Sequence, residues 1–354
     1  MTSIAQLTDD SIDLLKQMIT IASFSREEEG TASLIGQHLM KFGVDAHLVG
    51  NNVIAYNQHF DKDKPTVLLN SHHDTVKPNP GYTRNPFAAS IEAGKLYGLG
   101  SNDAGGCLVS LIAAFLYYYS QKDLRYNICL IASAEEEVSG KNGIEEAYRH
   151  VPSCEFAIVG EPTLLDLAVA EKGLMVLDCV AHGESGHAAR EEGVNAIYNA
   201  LEDIYWFKNY QFEKISSYLG PVKMSVTMIN AGSQHNVVPA SCSFVVDVRT
   251  TDMYSNEEVL NIIQSQVQSE VIARSTRLNS STIDLQHPIV LSGIKLGKKT
   301  YGSPTMSDQA LLPIPSLKIG PGDSARSHTA DEFIYLHEIE DGVKLYIDLL
   351  RDIL

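Results

Sequence analysis

In five places along these 354 residues, histidine or carboxylate side chains stand where a strand-length apolar run or a glycine-rich turn gives out. His72 and Asp74 follow the run 66–70, Glu135, Glu136 and Glu137 follow 128–133, and Glu161 follows 156–159. Asp103 lies in the turn Gly98-Leu-Gly-Ser-Asn-Asp-Ala-Gly-Gly106, and His328 in a polar loop after 316–319. Ligand-binding groups of open α/β sheets gather at the carboxyl ends of strands, so the five segments can converge on one crevice. Taken singly, a glutamate run after a strand is more often a solvated loop, and a His beside an Asp a surface pair. The repetition of one placement favours a shared site. In the extended segment His72-His73-Asp74, residues two apart share a face. His72 can therefore face the site while Asp74 accepts from its other ring N–H, and His73 points away as an ordinary hydrogen-bonded side chain.

Apolar periodicity predicts helices over 8–21 and 28–42, the second stopped by Gly43, and a long buried helix over 104–119. Strand-like runs cover 44–56, 66–70, 128–133 and 156–159. From about residue 174 the texture changes. The segments 174–181, 221–229 and 243–248 alternate like half-exposed strands, with helical stretches at 192–209 and 256–273. This β-α-β-β-α-β order predicts a small ferredoxin-like α+β domain. After about 288 the α/β texture returns, with a strand over 316–319 and a closing helix over 338–350. The expected architecture is a mixed-sheet α/β domain formed by 1–172 and 286–354, with the smaller domain, 173–285, inserted into it.

Composition removes several function classes. Asp and Glu number 44 against 27 Lys and Arg, a formal net charge of −17, which argues against nucleic acid or an anionic membrane as partner. The longest apolar run, 108–119, is shorter than the roughly 20 residues that span a bilayer. The first residues lack the basic and apolar regions of a signal peptide. Cysteines 107, 129, 154, 179 and 242 are an odd set without close pairing, as expected of reduced thiols rather than disulfides. A cytoplasmic protein is the expectation.

His72-x-Asp74-Thr-Val76, Tyr97-Gly-x-Gly-x-x-Asp103-x-Gly-Gly106, Glu136-Glu137, Gly160-Glu-Pro162 and Gly183-x-x-Gly-His187 occur in that order. The set resembles the co-catalytic zinc amidohydrolase and peptidase family of acetylornithine deacetylase and succinyl-diaminopimelate desuccinylase, over nearly the whole chain. The resemblance implies two zinc ions per subunit, one held by His72 and Glu161, the other by Glu137 and His328, with Asp103 bridging. Imidazoles and carboxylates without thiolates suit zinc and also accept cobalt or manganese. Glu136 is implied as the general acid/base that takes a proton from the attacking water and returns it to the departing nitrogen. The resemblance further implies a homodimer paired through the inserted domain, with His187 reaching the partner's site as a donor to the oxyanion. Asn236 and Arg249 resemble positions that contact substrate, and an arginine fork suits an α-carboxylate. Lys77 and Ala104 depart from the usual pattern without replacing a ligand. His337 is the rival to His328.

Thr75-Val76 and Ile158-Val-Gly-Glu-Pro-Thr163 resemble the acetylornithine deacetylase branch most. That implies a small N-acylated amino acid as substrate, N-acetyl or N-succinyl, of ornithine or citrulline type, and a place in arginine or related biosynthesis. Lys172 and Arg326 are further candidates to meet a substrate carboxylate. A di- or tripeptidase or a carboxypeptidase of the same family is the alternative. A non-catalytic metal-binding protein is the alternative from another class, and it would have no use for Glu136.

Overall fold

The structure, a computed structural model, describes residues 3–190 and 192–354. The chain divides into two compact units. The first runs to Val169 and resumes over Thr282–Tyr301 and Ser307–Leu354; the second comprises Ala170–Ser281 and Gly302–Met306.

The centre of the first unit is the strand Thr66–His72, all seven of whose residues are buried. A strand covered on both faces reads as a continuous apolar run rather than an alternating one. It pairs in parallel with Asn127–Ser133 on one side and Phe156–Val159 on the other, and Ser316–Lys318 continues the parallel set. The hairpin Ala46–Val49 and Asn52–Tyr56 joins antiparallel beyond Asn127–Ser133, so the sheet is mixed. The expected single run over 44–56 is thus two strands, reversed at Gly50, whose φ of +56° suits a residue without Cβ. The helix Gly106–Tyr118 is apolar on nearly every face and almost wholly buried. Against it lie Ile4–Ile19, whose Ser11 hydroxyl donates to the Val109 carbonyl, and Leu336–Arg351, whose Ile347 carbonyl accepts from Tyr118. Four parallel strands therefore end on one edge, at His72, Ser133, Val159 and Lys318. Among the described residues no helix is long and apolar enough to cross a membrane.

The second unit has a four-stranded antiparallel sheet in the order Lys223–Ala231, Ser241–Thr250, Gly173–His182, Glu270–Ala273. Gly173–His182 alternates buried and part-buried along its length, as a sheet covered on one face by helices must. Those helices are Ala196–Asn209, capped by Asn195, and Asn256–Gln266, begun by a capping box of Ser255 and Glu258. The helical stretch expected over 256–273 stops at Gln266. Its remainder supplies the fourth strand, where Val271 packs into the core and Ile272 faces out. Four residues, of which Val271, Ile272 and Ala273 are apolar in succession, carry too little periodicity to separate strand from helix.

Candidate metal centre

The carboxyl edge of the parallel sheet carries the cluster. The His72 ring is buried, and its Nε2 makes no hydrogen bond. Around that nitrogen stand Asp103 Oδ1 at 3.4 Å, Glu161 Oε1 at 3.8 Å and Glu136 Oε2 at 3.9 Å. On the far side of Asp103, His328 Nε2 lies 3.6 Å from Oδ2 and 2.9 Å from Glu137 Oε2. Asp103 is thus the carboxylate between two imidazoles. His328, Glu137, Asp103, His72, Glu161 and Glu136 all lie in the first unit, and the structure brings them together.

Each loop is shaped by particular residues. Gly100 has φ +72° and a Cβ there would meet Thr75, while a Cβ on Gly105 would lie 2.4 Å from the Gly100 carbonyl oxygen. The Gly-x-x-Asp-x-Gly spacing is what lets the turn 101–105 fold tightly enough to present Asp103 just before the buried helix. The glutamate turn hangs on acids behind it. Glu135 N–H donates to Glu28 Oε1 (3.2 Å), Glu136 N–H to Asp74 Oδ1 (3.1 Å) and Glu137 N–H to Asp74 Oδ2 (3.2 Å). Three successive amides are held, which directs the Glu136 and Glu137 side chains toward the histidines.

Asp74 differs from the expected arrangement. His72 Nδ1 pairs with the Asp74 main-chain oxygen at 3.0 Å, and the carboxylate stands at 3.4 Å. The carboxylate is taken up instead by the two glutamate amides and the Ser25 hydroxyl (2.7 Å). Either way, Nδ1 is committed and Nε2 is the free donor atom facing the acids. His73 turns to the opposite side, bonded to Thr31 at 2.8 Å and the Asn51 carbonyl at 3.0 Å.

The electrostatics fit a cation. Burial pushes the Glu161 carboxyl up to about 8, with Asp103 and Asp308 adding to the effect, and burial also raises Glu136 well above its ordinary range. For His72, burial lowers the basicity but Asp103 and Asp74 outweigh it, so the ring sits well above its usual value. The hydrogen bond to Glu137 lifts His328 to about 9. Three acids, Asp103, Glu136 and Glu161, converge on one buried imidazole nitrogen that lacks a hydrogen-bond partner. An oxygen- and nitrogen-rich set without thiolates suits borderline divalent cations such as zinc. His72, Asp103 and Glu137 form one group with mutually close ligand atoms, and His72, Glu136 and Glu161 a second. Distance alone therefore does not separate Glu136 from the ligands.

The other candidate residues have definite places. His337, at the start of the last helix, is exposed and lies beside the Tyr335 ring. Arg326 is gripped by Glu338 through two hydrogen bonds, 2.9 and 2.6 Å, so its fork is already filled. In the second unit, Gly186–His187 pairs with Val237–Val238, and Asn236 is fastened beside it through Ala188 N–H. The His187 ring is exposed and its Nδ1 accepts from Ala189 N–H. Arg249 forks onto Asp247, two residues back on the same strand face, at 2.8 and 3.1 Å. A substrate carboxylate there would have to share that guanidinium. Lys172 Nζ lies 3.4 Å from the Pro221 carbonyl, and burial, with Lys223 and Arg249 nearby, lowers its basicity.

Among the buried acids that sequence reasoning passed over, Glu28, Asp308 and Glu332 belong to the first unit. Asp308 accepts from Ser133 at 2.6 Å, and burial pushes it up to about 6. Glu28 and Asp308 had no spacing signal. Glu332 lies four residues after His328, but nothing in that spacing points to the amides it binds.

Comparison with known proteins places this geometry. The family described as peptidase family M20/M25/M40 matches residues 68–352. The chain is 29% identical over 308 residues to acetylornithine deacetylase from Proteus mirabilis strain HI4320, covering 81% of this chain and 79% of that one. Among solved structures it is similar to a tripeptidase from Staphylococcus aureus subsp. aureus Mu50, with a TM-score of 0.76, 18% identity and 98% of both chains covered. It is also similar to a dinuclear metal-binding peptidase of the M20 family from Bacillus subtilis, with a TM-score of 0.73, 16% identity and 99% and 98% of the two chains covered.

Proposed function

Because this chain belongs to peptidase family M20/M25/M40, we propose that it is a metal-dependent amidohydrolase that removes an acetyl or succinyl group from the amino nitrogen of an ornithine-like amino acid. The single observation that carries the metal part is the buried, unpartnered His72 Nε2 facing Asp103, Glu161 and Glu136. Support for the deacylase part is the 29% identity to an acetylornithine deacetylase. His72 and Glu161 would hold one ion and Glu137 and His328 a second, with Asp103 shared. Zinc is the favoured metal, and cobalt or manganese suit the same donors. Such ions, when bound, polarise the amide carbonyl and acidify water.

This chain's own residues do the rest. Glu136, whose buried carboxyl holds a proton more tightly than an exposed one, takes the proton of the attacking water and delivers it to the departing nitrogen. An amide needs that delivery, because an amine anion is a very poor leaving group. Asp74 holds the Glu136 and Glu137 amides, so base and ligand keep a fixed spacing. The second unit is read as a lid and dimerisation domain. Tyr198, Leu201 and Tyr205 form an apolar stripe on its helix Ala196–Asn209, 67%, 50% and 70% exposed, and Met228 and Ile229 stand exposed on its edge strand. His187 would act as an oxyanion donor in that dimer, with Asn236 and Arg249 on the substrate.

The deciding experiment is kcat/KM across acetyl and succinyl derivatives of ornithine, citrulline, diaminopimelate and methionine, beside di- and tripeptides. The reading expects an N-acyl ornithine or citrulline to lead by at least tenfold. Preference for peptides would overturn the deacylase assignment and leave the hydrolase intact.

A further inference from the structure

Glu332 is buried, 2% exposed, and touches no proposed ligand side chain. Its Oε1 accepts from the amides of Asn102 (2.8 Å) and Asp103 (2.9 Å), and its Oε2 from the amide of Gly100 (2.9 Å). Its own carbonyl accepts from Gly98 N–H at 3.1 Å. One residue thus binds four amides of the turn that presents Asp103. A carboxylate out of water is costly unless it is well hydrogen-bonded, and amides left unpaired inside a fold are costly too. Here each partly offsets the other, although burial still pushes the Glu332 carboxyl up to about 8. Glu332 satisfies Gly100, Asn102 and Asp103 at once, using both of its carboxyl oxygens.

The same short segment carries His328. Asp331 accepts from Thr83 and Arg84 amides at 2.9 and 3.0 Å, and Phe333–Tyr335 pairs with Lys95–Tyr97, in register Phe333 to Tyr97. Residues 328–335 are therefore fixed at both ends to the segment that runs into the Asp103 turn. His328 and Asp103, 3.6 Å apart at Nε2 and Oδ2, inherit their spacing from this clamp.

We propose that Glu332 is a positioning residue for the metal centre: by binding the amides of Gly100, Asn102 and Asp103, it sets the direction of the Asp103 carboxylate and locks it to the His328 loop. The proposal rests on the metal reading above. Supporting partners of metal ligands alter affinity without touching the ion. A residue that merely stabilises the turn would alter melting temperature but leave the coordination geometry of a folded variant unchanged.

The test uses the full-length protein as wild type, Glu332→Gln, Glu332→Asp and Glu332→Ala. Each is stripped of metal, its melting temperature measured, then titrated with cobalt(II) and zinc(II), following the visible cobalt absorption and competition with a chelating dye. Wild type should bind two ions. Glu332→Gln keeps one acceptor oxygen and Glu332→Asp falls short of the turn. Both should weaken zinc binding by about 10–100-fold and shift the cobalt spectrum, with Gln the milder. If Glu332→Ala does not fold, the Gln and Asp variants carry the test. Folded variants with wild-type affinity and an unchanged cobalt spectrum would overturn the positioning role alone. So would an affinity loss that only follows melting temperature while the spectrum stays fixed. Absence of metal binding by wild type would overturn the metal reading and this proposal together.

Discussion

His72 and His328 are held in opposite ways. His72 ends the central strand, its side chain is 1% exposed, and its Nδ1 is committed to Asp74. His328 sits in a loop with its side chain 55% exposed and a left-handed backbone, φ +58°, steadied by neighbours such as Asn79 and Asp331. A non-glycine residue takes that conformation only when its surroundings impose it. One imidazole is positioned by the core of the fold, the other by side-chain tethers at its surface. The difference teaches that the proposed metal centre would be rigid on one side and adjustable on the other, with Asp103 close to both imidazoles.

The contrast can be broken or sharpened by experiment. Glu136→Gln removes the proposed base on the His72 side and should reduce kcat by roughly 10²–10⁴-fold. Metal content by mass spectrometry should stay near two ions per chain; loss of both would assign Glu136 to the ligands. His72→Ala should weaken zinc binding beyond the roughly 100-fold typical of residues that only support ligands, and His328→Ala should weaken it less, because an exposed loop lets water or a neighbour substitute. Equal losses would mean that burial has no bearing on how the two histidines serve. Leu69→Ala, in the strand that ends at His72, should lower unfolding free energy by about 2–5 kcal/mol in a denaturant titration. A change under about 1 kcal/mol would show that this strand is not the rigid side.

The smallest effect is one of pH. His38 is buried in the helix Glu29–Lys41 against the Phe42 ring, and burial with Lys41 lowers its basicity, Asp10 opposing. Below pH 6.5 the unfolded chain protonates this ring before the folded one does. Stability contributed by its neutral form is therefore complete above that pH and lost as pH falls through the lower folded value. His38→Gln should flatten the acid-side stability curve by less than about 1.4 kcal/mol per pH unit. An unchanged slope would place the acid sensitivity elsewhere.

The legible parts of the molecule were those with repetition. The run 66–70 announces a strand, which the structure extends to His72, and the Gly-x-x-Asp-x-Gly spacing announces a turn that only glycines permit. The family and the mixed α/β fold follow from such features. The strand Glu270–Ala273 was hidden because four residues, three of them apolar in succession, fit either period. Glu28 and Glu332 were hidden for another reason. Beside its neighbours Arg26 and Asn51, Glu28 holds the Glu135 amide more than 100 residues away, and Glu332 holds amides more than 200 residues away; an amide leaves no mark on sequence. Arg249 shows the reverse limit: its type suits a carboxylate, and the one it holds is Asp247.

The central claim is that hydrolysis depends on the cluster around His72. The most direct measurement follows N-acetylornithine hydrolysis together with bound metal as the protein is stripped by a chelator and reloaded with zinc or cobalt. Activity should fall in step with metal content to background and return on reloading, in the wild type but not in His72→Ala. Hydrolysis that survives complete metal removal would contradict the account.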